Sequence, residues 1–447
     1  MKLQKSLIGL VCLFTFCNGA FAQHAGSLDI TFNPGSGPNG SVVSVALCTN
    51  SQVLIGGTFT SVNGQSRNYV ARLNSDGSLD NGFLTGQGPN TVVLAVEADP
   101  NGGVYIGGAF GSYNGIPTSH FAKLRDDGSL DLSWNVAPDN EVNLIRRQMD
   151  GTFLVLGSFG HVNGVARKNI ARLHSDGSFD GLFNPGAYVT DGTINAAAVQ
   201  LDGSVIIAGS FTTNSPVSRQ YIARVSDDGT LDPTFNAGYI GGVGGGVSIY
   251  AIASQLDGKL IVGGTFSSIN GYSRLGIARL NTNGAVDTTF VPGTAAGTSF
   301  FGVTLLPDGS VLTSGATRLT TNGNYDATFA PQPNTGLNAV AIQPDGRILV
   351  AGGFTFIAGT NINDIARLIG TSTNSPGFQF LAANRYFGTF LSGTLSNTYR
   401  MEWTTNVNTP SLWTPLFNVT LQTNPQFILD TNPISGRQRF YRAVELP

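Results

Sequence analysis

Carboxyl and imidazole groups are the side chains of this 447-residue sequence that could do acid–base or metal chemistry. Hydrolysis of a glycosidic bond needs two carboxyl groups that face one bond, and Glu97 with Asp99 is a formal candidate for such a pair. Polar residues that flank a hairpin have the same spacing, so a structural role is the competing interpretation. The four histidines form no His-x-His or His-x3-His pair that would indicate zinc, and no nucleophile elbow supports a serine triad. We therefore predict no catalytic residue, no metal site and no cofactor.

Most aspartates recur at fixed places in the sequence instead of clustering. Nine lie in Asp-Gly hairpin turns, and seven lie in the phrase Gly-Ser-Leu-Asp-x-x-Phe or a variant of it. The seven are separated by 51, 51, 49, 52, 55 and 39 residues. They are Asp29, Asp80, Asp131, Asp180, Asp232, Asp287 and Asp326.

A basic residue in the phrase Ala-Arg-Leu, or a variant of it, precedes each of these aspartates except the first by eight residues. A three-residue hairpin loop with glycine in the left-handed conformation would place the two residues opposite each other. We expect seven structural Arg/Lys–Asp pairs, with Arg367 reaching across the ends of the repeat region to Asp29. The other basic residues are Arg72, Lys123, Arg172, Arg224, Arg279 and Arg318.

These phrases require short strands that are joined by tight turns. In the third period, strand-like runs cover residues 141–145, 152–156, 169–173 and 178–183, and Asp-Gly turns join the first two and the last two. Four antiparallel strands repeated seven times at about fifty residues are typical of a β-propeller. We predict an all-β, seven-bladed β-propeller that is closed by pairing of the N-terminal strand with the last blade. The sixth unit is shorter, so its blade should be truncated on one face.

The repeat phrases also resemble a known family. The segments ARLNSDGSLDNGF and QLDGKLIVGGTFSSINGYSRLGIARL are similar to the delta-60 repeats of secreted bacterial β-propellers. The resemblance covers residues 26–368. It implies the propeller fold and secretion, and it implies no common activity or catalytic residue set.

The regions outside the repeats suggest an exported protein with an accessory domain. Residues 1–22 read as a signal peptide cleaved after Ala22, which predicts a periplasmic, cell-surface or extracellular protein. We divide the mature chain into a propeller at 23–368, a linker at 369–377 and a small β-sandwich at 378–447. No later segment has the length of a transmembrane span.

Composition narrows the classes of partner. The chain has 24 basic and 27 acidic residues. Removal of the signal peptide takes two lysines with it, so the net charge of the mature chain is 22 − 27 = −5. This balance argues against a nucleic-acid partner, because phosphate binding needs clustered Lys and Arg. The cleaved chain keeps Cys48 alone, which excludes an internal disulfide. The oligomeric state is left open.

One set of cations could bind a ligand. Arg67, Arg167, Arg219 and Arg274, with Lys168, lie on the loops between the second and third strands. By strand parity, these loops share one end of the fold with the long connections between repeats, such as 33–39 and 236–247. We call this end the variable face, and we call the end with the Asp-Gly turns the turn face. The arginines could bind carboxylate or sulfate groups, or each could cap carbonyls at its own strand end.

Three functions fit these observations. The first is a non-enzymatic binding or scaffold propeller whose ligand, a glycan or an extracellular protein, is held on the variable face. The alternative is a polysaccharide-active hydrolase or lyase with its site at the mouth of the propeller channel. The third is a structural surface protein without a ligand.

Overall fold

The computed structural model describes residues 24–370, apart from 101, 149, 201, 214–217, 243–245 and 294–298, together with six strands between 378 and 445. The predicted signal peptide and most of the predicted linker lie outside the described residues. Within them the secondary structure is β, apart from a short 3-10 turn at Pro185–Tyr188, which confirms the predicted all-β class. Over the same part of the chain, no helix has the length and hydropathy needed to cross a lipid bilayer.

Residues 42–368 form a series of antiparallel sheets that we number 1 to 7 in chain order. Sheet 1 contains Val42–Leu47, Val53–Gly57 and Val70–Leu73; sheet 2, Val93–Ala98, Val104–Gly108 and Phe121–Leu124; sheet 3, Val142–Arg147, Phe153–Gly157 and Ile170–Leu173; sheet 4, Val189–Asp191, Ile194–Val199, Val205–Thr213 and Gln220–Val225; sheet 5, Ile249–Ser254, Leu260–Gly264 and Ile277–Leu280; sheet 6, Val303–Leu305, Val311–Thr313 and Arg318–Leu319; sheet 7, Leu337–Ile342, Ile348–Gly352 and Ile365–Leu368.

Within each sheet, the strands that we call the first, second and third pair in that order. In sheet 4 these are Ile194–Val199, Val205–Thr213 and Gln220–Val225, and Val189–Asp191 adds to the far end of the second strand. The second strand is buried along its length, as in Val53–Gly57, because it has strand partners on both edges and neighbouring sheets on both faces. Its continuous apolar sequence fits that position.

The fourth strand of each repeat is much shorter than the sequence suggests. In sheet 3 the predicted strand at 178–183 is one bridge between Leu173 and Phe179. The carboxylate of Asp180 accepts a hydrogen bond from the backbone N–H of Leu182, at 3.0 Å. This local turn diverts the backbone from the ladder directly after the aspartate. The N-terminal segment makes the equivalent bridge, between Leu28 and Leu368 of sheet 7.

Apolar side chains fill the spaces between neighbouring sheets. Seven buried clusters join sheets 1 and 2, 2 and 3, and so on to 6 and 7, while the last joins sheet 7 to sheet 1. In that last cluster, Leu349 and Ile365 of sheet 7 lie with Val53, Ile55 and Phe32. Each sheet therefore buries both of its faces against neighbours.

Glycines at the end of the second strand permit a close approach of two backbones. A Cβ on Gly108 would lie 2.2 Å from the carbonyl oxygen of Val92, and one on Gly264 would lie 2.2 Å from that of Ser248. The same crowding occurs at Gly57, Gly157 and Gly209. It explains the recurring glycine at this place in the repeat.

The second and third strands are connected by small two-stranded hairpins in sheets 1, 2, 3 and 5. In sheet 1 the hairpin is Ser61–Val62 with Gln65–Ser66, and Pro38 of the preceding connection bridges to Val62. The side chain of Asn39 accepts hydrogen bonds from the N–H groups of Thr60 and Ser61. Hairpins and sheet-to-sheet connections thus lie together. The corresponding hairpin strands elsewhere are Ser112–Tyr113, Ile116–Pro117, His161–Val162, Val165–Ala166, Ser268–Ile269 and Tyr272–Ser273. At sheet 5 the preceding connection adds a third strand, Ile240–Gly241.

Sheet 6 lacks this hairpin. Its second strand turns directly into the third, where the N–H of Thr313 donates to the carbonyl of Thr317 at 3.0 Å. Ala316 in this turn has φ +58°. The sequence anticipates this shorter connection, because the unit has fewer residues than the others.

The C-terminal region forms two further antiparallel sheets. In the first sheet the strand Tyr386–Leu391 lies at the centre, between its two partners. The first sheet orders Phe378–Ala383, Tyr386–Leu391 and Gln426–Asp430, and the second orders Thr414–Thr420, Thr398–Thr404 and Phe440–Glu445.

Candidate functional site

The repeated arginines and aspartates face each other across the third strand and the bridge that follows it. In sheet 1, the N–H of Asp80 donates to the carbonyl of Arg72 at 2.9 Å, and the loop glycine Gly77 has φ +89°. The Arg72 Nε then lies 2.7 Å from Asp80 Oδ2. Equivalent Nε–Oδ2 hydrogen bonds of 2.7–2.8 Å join Arg172 to Asp180, Arg224 to Asp232, Arg279 to Asp287, Arg318 to Asp326 and Arg367 to Asp29.

Lys123 departs from the predicted pattern. The backbone position is as expected, since the N–H of Asp131 donates to the Lys123 carbonyl at 2.9 Å. The ammonium group, however, lies 3.0 Å from Asp99 Oδ2 and not against the predicted partner Asp131. Lysine lacks the guanidinium fork, and the second carboxylate at Asp99 competes for its charge. Asp131 lies 3.8 Å from Arg125 instead.

The arginines also connect one sheet to the next. Arg72 Nη1 donates at 2.6 Å to Asp126, in the turn after the third strand of sheet 2, and Arg367 Nη1 donates at 2.8 Å to the carbonyl of Ser75, in the turn after the third strand of sheet 1. Each guanidinium also lies over the phenylalanine of its own repeat, as Arg172 does 4.5 Å from the Phe183 ring centre. These contacts give the arginines a structural role within and between the sheets.

The aspartates of this set have pKa values below the usual range. Burial acts to raise the pKa of Asp29, but hydrogen bonds from Thr31 and the charge of Arg367 outweigh it. Hydrogen bonds and nearby cations likewise hold down the pKa values of the six others. These carboxylates are therefore ionised partners and not proton donors near neutral pH.

The candidate ligand-binding cations of the variable face donate to backbone carbonyls. Arg67, Arg167 and Arg274 each donate Nη1 to the preceding residue's carbonyl at 2.8 Å. Arg219 donates to the carbonyls of Ser218, Pro233 and Phe235. Lys168 donates to the Val189 carbonyl at 3.3 Å.

Their exposure differs too. Arg167 and Arg274 are buried, with 6% and 7% of their surface exposed. Arg67 is half-buried, and Arg219 lies beside a cavity of about 260 Å³ that Tyr239 also lines. The structure thus brings these side chains into carbonyl-capping positions around the variable face and not into one cluster.

A larger cavity lies where the first strands of the sheets converge. Its volume is about 370 Å³, and its wall contains residues from all of sheets 1 to 7. Six first strands carry a β-bulge near the variable face, which inserts an extra residue. The inserted residues all line the cavity: Val43, Leu94, Asn143, Asn195, Tyr250 and Asn338.

Two aromatic residues of this wall were missed by sequence reasoning. Tyr250 and Phe301 are 37% and 63% exposed, and their ring centres lie 5.1 Å apart. The signal that could have found Tyr250 is its place one residue into the first strand, where the other bulged repeats have aliphatic or amide side chains. Phe301 lies in the shortened sixth unit, where the repeat offers no register.

The formal carboxylate pair does not converge on this cavity. Glu97 pairs in register with Tyr105, and Asp99 accepts a hydrogen bond from the Tyr105 hydroxyl at 3.0 Å in addition to its ion pair with Lys123. Burial raises the pKa of Glu97 to about 7, against the opposing charges of Arg146 and Arg147. Neither carboxylate lines the cavity, and in the described part of the chain its wall has no Asp, Glu or His. No group of three or more potential metal-ligating side chains occurs in that part either.

Six stretches match one family, described as a domain of unknown function (DUF5122) β-propeller: residues 50–83, 100–133, 148–183, 200–235, 255–290 and 343–368. The chain carries the repeats of this family. The predicted resemblance of the repeat region to secreted propellers of the delta-60 type is thereby confirmed. The DUF5122 matches omit the shortened sixth unit.

Solved structures with similar folds share little sequence with the chain. The extracellular domain of a hybrid two-component system from B. thetaiotaomicron has 13% identity and a TM-score of 0.43, over 93% of this chain and 54% of that domain. The chain therefore spans about half the length of that protein. A virginiamycin B lyase from Staphylococcus aureus has 16% identity and a TM-score of 0.44, over 75% of this chain and 97% of the lyase. YCF48 from Cyanidioschyzon merolae has 13% identity and a TM-score of 0.44, over 77% of this chain and 99% of that protein. No curated protein matches the chain.

Proposed function

We propose that this protein is an exported, seven-bladed β-propeller that binds a ligand without chemically changing it. Sheets 1 to 7 are the blades, and residues 24–32 close the ring by completing the last one. The apolar cluster between sheets 7 and 1 supports this closure, as do the Leu28–Leu368 bridge and the Arg367–Asp29 ion pair.

The rest of the chain is assigned on its sequence pattern. Residues 1–22 are an export signal, and residues 369–377 link the propeller to an accessory β-sandwich at 378–447. The two three-stranded antiparallel sheets between 378 and 445 support the sandwich. The protein acts in the periplasm, at the cell surface or outside the cell.

The ligand is a glycan or an extracellular protein held at the variable face. The observation that carries this proposal is the 370 Å³ cavity that every blade helps to line. Its volume lies in the range of small-molecule sites, about 300–1,000 Å³. The bulged residues differ between blades while the rest of each repeat is uniform, as expected where a rigid scaffold presents a binding surface.

We assign Arg67, Arg167, Arg219 and Arg274, with Lys168, to capping of the loops that border this surface. Each of them already donates at least one hydrogen bond to a backbone carbonyl, although the buried Nε atoms of Arg67, Arg167 and Arg274 have no partner within the described part of the chain. These carbonyl hydrogen bonds hold each side chain against its own loop, and a ligand would compete with them for the same charged groups. The combined Arg67/Arg167/Arg219/Arg274→Ala variant should therefore lose stability more than it loses affinity.

The test is a binding screen of residues 23–447 against soluble neutral and acidic polysaccharides, with an Asn143→Trp variant that fills the cavity. Asn143 is exposed and makes no side-chain hydrogen bond within the described part of the chain, so the variant should fold normally. We expect at least about tenfold weaker binding. Asn81→Trp, at an exposed position that does not line the cavity, is the matched control. Unchanged affinity in folded Asn143→Trp would exclude the cavity.

A polysaccharide-active enzyme is the second candidate, and Glu97 is the observation that favours it. A carboxyl group with a pKa near 7 suits a general acid. Depolymerisation of a polysaccharide that Glu97→Gln abolishes, with binding retained, would support this function over the first.

A further inference from the structure

The cavity wall contains an exposed aromatic pair. Tyr250 and Phe301 come from different blades, their rings are inclined by 44°, and both line the cavity. The other ring–ring contacts in the described chain belong to the core around Tyr105, Phe121, Trp134 and Phe153. Large apolar side chains left exposed together in a concave wall are typical of a binding site.

Polar groups of the wall complement the aromatic pair. The Tyr250 hydroxyl and the Asn143 amide have no hydrogen-bond partner among the described residues, and both line the cavity. Asn338 donates Nδ2 to Ser41 Oγ and to the Val42 carbonyl, which fixes its amide in the wall. Asn195 is also fixed, because it donates to Ser248 and accepts from Thr193.

The electrostatics of the wall favour an uncharged ligand. Arg146 is the one charged side chain of the wall in the described residues. It acts on Glu97, the half-buried carboxyl of the neighbouring first strand, so part of its charge is already compensated. Because the described wall has no acidic group, a cation has no ligands there, and a single, partly compensated cation gives little attraction for a polyanion.

We infer that this cavity binds one uncharged sugar ring, stacked on Tyr250 and Phe301, with its hydroxyl groups hydrogen-bonded to Asn143 and to the Tyr250 hydroxyl. The C–H face of a pyranose is apolar and slightly positive, which suits the negative face of an aromatic ring. An amide both donates and accepts, as vicinal hydroxyl groups require. The inference rests on the proposed binding function and specifies the ligand as a neutral glycan.

Binding of residues 23–447 to soluble xylan, galactomannan and mixed-linkage β-glucan tests the inference, with alginate and pectate as acidic probes. We expect binding to a neutral polysaccharide that 0.5 M salt does not weaken, because no ion pair is involved. Tyr250→Ala and Phe301→Ala should each weaken it at least about tenfold. Tyr250→Phe should keep the stacking surface and should therefore lose less affinity than Tyr250→Ala.

Tyr239→Ala is the matched control, since Tyr239 is 70% exposed but does not line this cavity. Thermal unfolding of each variant separates lost binding from lost folding. Failure to bind any neutral polysaccharide would overturn the inference. Binding that Asn143→Trp removes but Tyr250→Ala and Phe301→Ala leave unchanged would overturn the inference and keep the proposed binding function. Binding that none of the three changes would overturn the inference and exclude the cavity as the site of the proposed binding function.

Discussion

One backbone position, just before the third strand or one residue into it, repeats an unusual conformation with different side chains. Tyr69, His120, Asn169, Tyr221 and Asp364 all have φ between +60° and +66° at this place. The Asn169 amide donates to the carbonyl of Gly157 at 2.9 Å. Asp364 is equally buried but cannot donate when ionised, and burial raises its pKa to about 6.

Asp364→Asn should therefore stabilise the protein near neutral pH. The folded-state pKa lies above the ordinary value of 3.8, so folding binds a proton and becomes less favourable as the pH rises from about 4 to 6. Above pH 6 we expect the variant to gain up to about 3 kcal/mol in free energy of unfolding. Below pH 4 the difference should vanish. Denaturant unfolding of both proteins at pH 4 and pH 7.5 measures it, and an equal difference at the two pH values would contradict the argument.

Sequence repetition determines how many single residues could be predicted. The arginine and aspartate positions follow from a phrase that recurs seven times, so their spacing translates into cross-strand neighbours. The contact between Lys123 and Asp99 could not be predicted, because a substitution in another strand supplies the competing carboxylate. Phe301 was missed because the shortened sixth unit shifts it out of the common register. Tyr250 keeps the register of the other bulged residues, but the sequence pattern does not show that this position faces a cavity.

Among the elements, the fourth strand and the end of the second strand depart most from a simple strand pattern. Sequence alternation predicts four strands per repeat, but the last is reduced to one bridge, because the aspartate side chain competes for the next backbone N–H groups. The close approach at Gly108 is invisible in the sequence except as a recurring glycine.

Gly108→Ala should destabilise sheet 2 sharply. The new methyl group would lie 2.2 Å from the Val92 carbonyl oxygen. The methyl group is attached directly to the backbone and the oxygen belongs to it, so neither can turn away as a flexible side chain could. We expect a loss of about 3 kcal/mol in the free energy of unfolding. Gly111→Ala, three residues later, would meet no atom within 4 Å and should change stability by less than about 0.5 kcal/mol. Equal stability of the two variants in denaturant unfolding would contradict this account.

At the scale of the whole molecule, the seven Leu-Asp carboxylates make stability depend on pH. Their folded-state pKa values lie below 3.8, so each contributes stability above that pH and loses it as the pH falls through its folded-state value. We expect the unfolding temperature to fall steeply between pH 4 and pH 2. The unfolding temperature of the Asp29→Asn variant should fall less steeply with pH, because one of the seven carboxylates is removed. A flat profile for the wild-type protein would show that these pairs do not act as described.

The contact between sheet 7 and sheet 1 also has a consequence for the order of folding. The hydrogen bond from Arg367 to Asp29 joins residues that are 338 positions apart. The apolar face formed by Val53, Ile55 and Phe59 is covered by Leu349 and Ile365, near the end of the repeat region. A chain that emerges N-terminus first must leave this face uncovered until almost all repeats are present, whereas each earlier sheet can dock as it appears. The contact between sheets 7 and 1 is thus the last folding step, because it closes the largest loop of the chain. It is also the place where an incomplete molecule would associate with another copy.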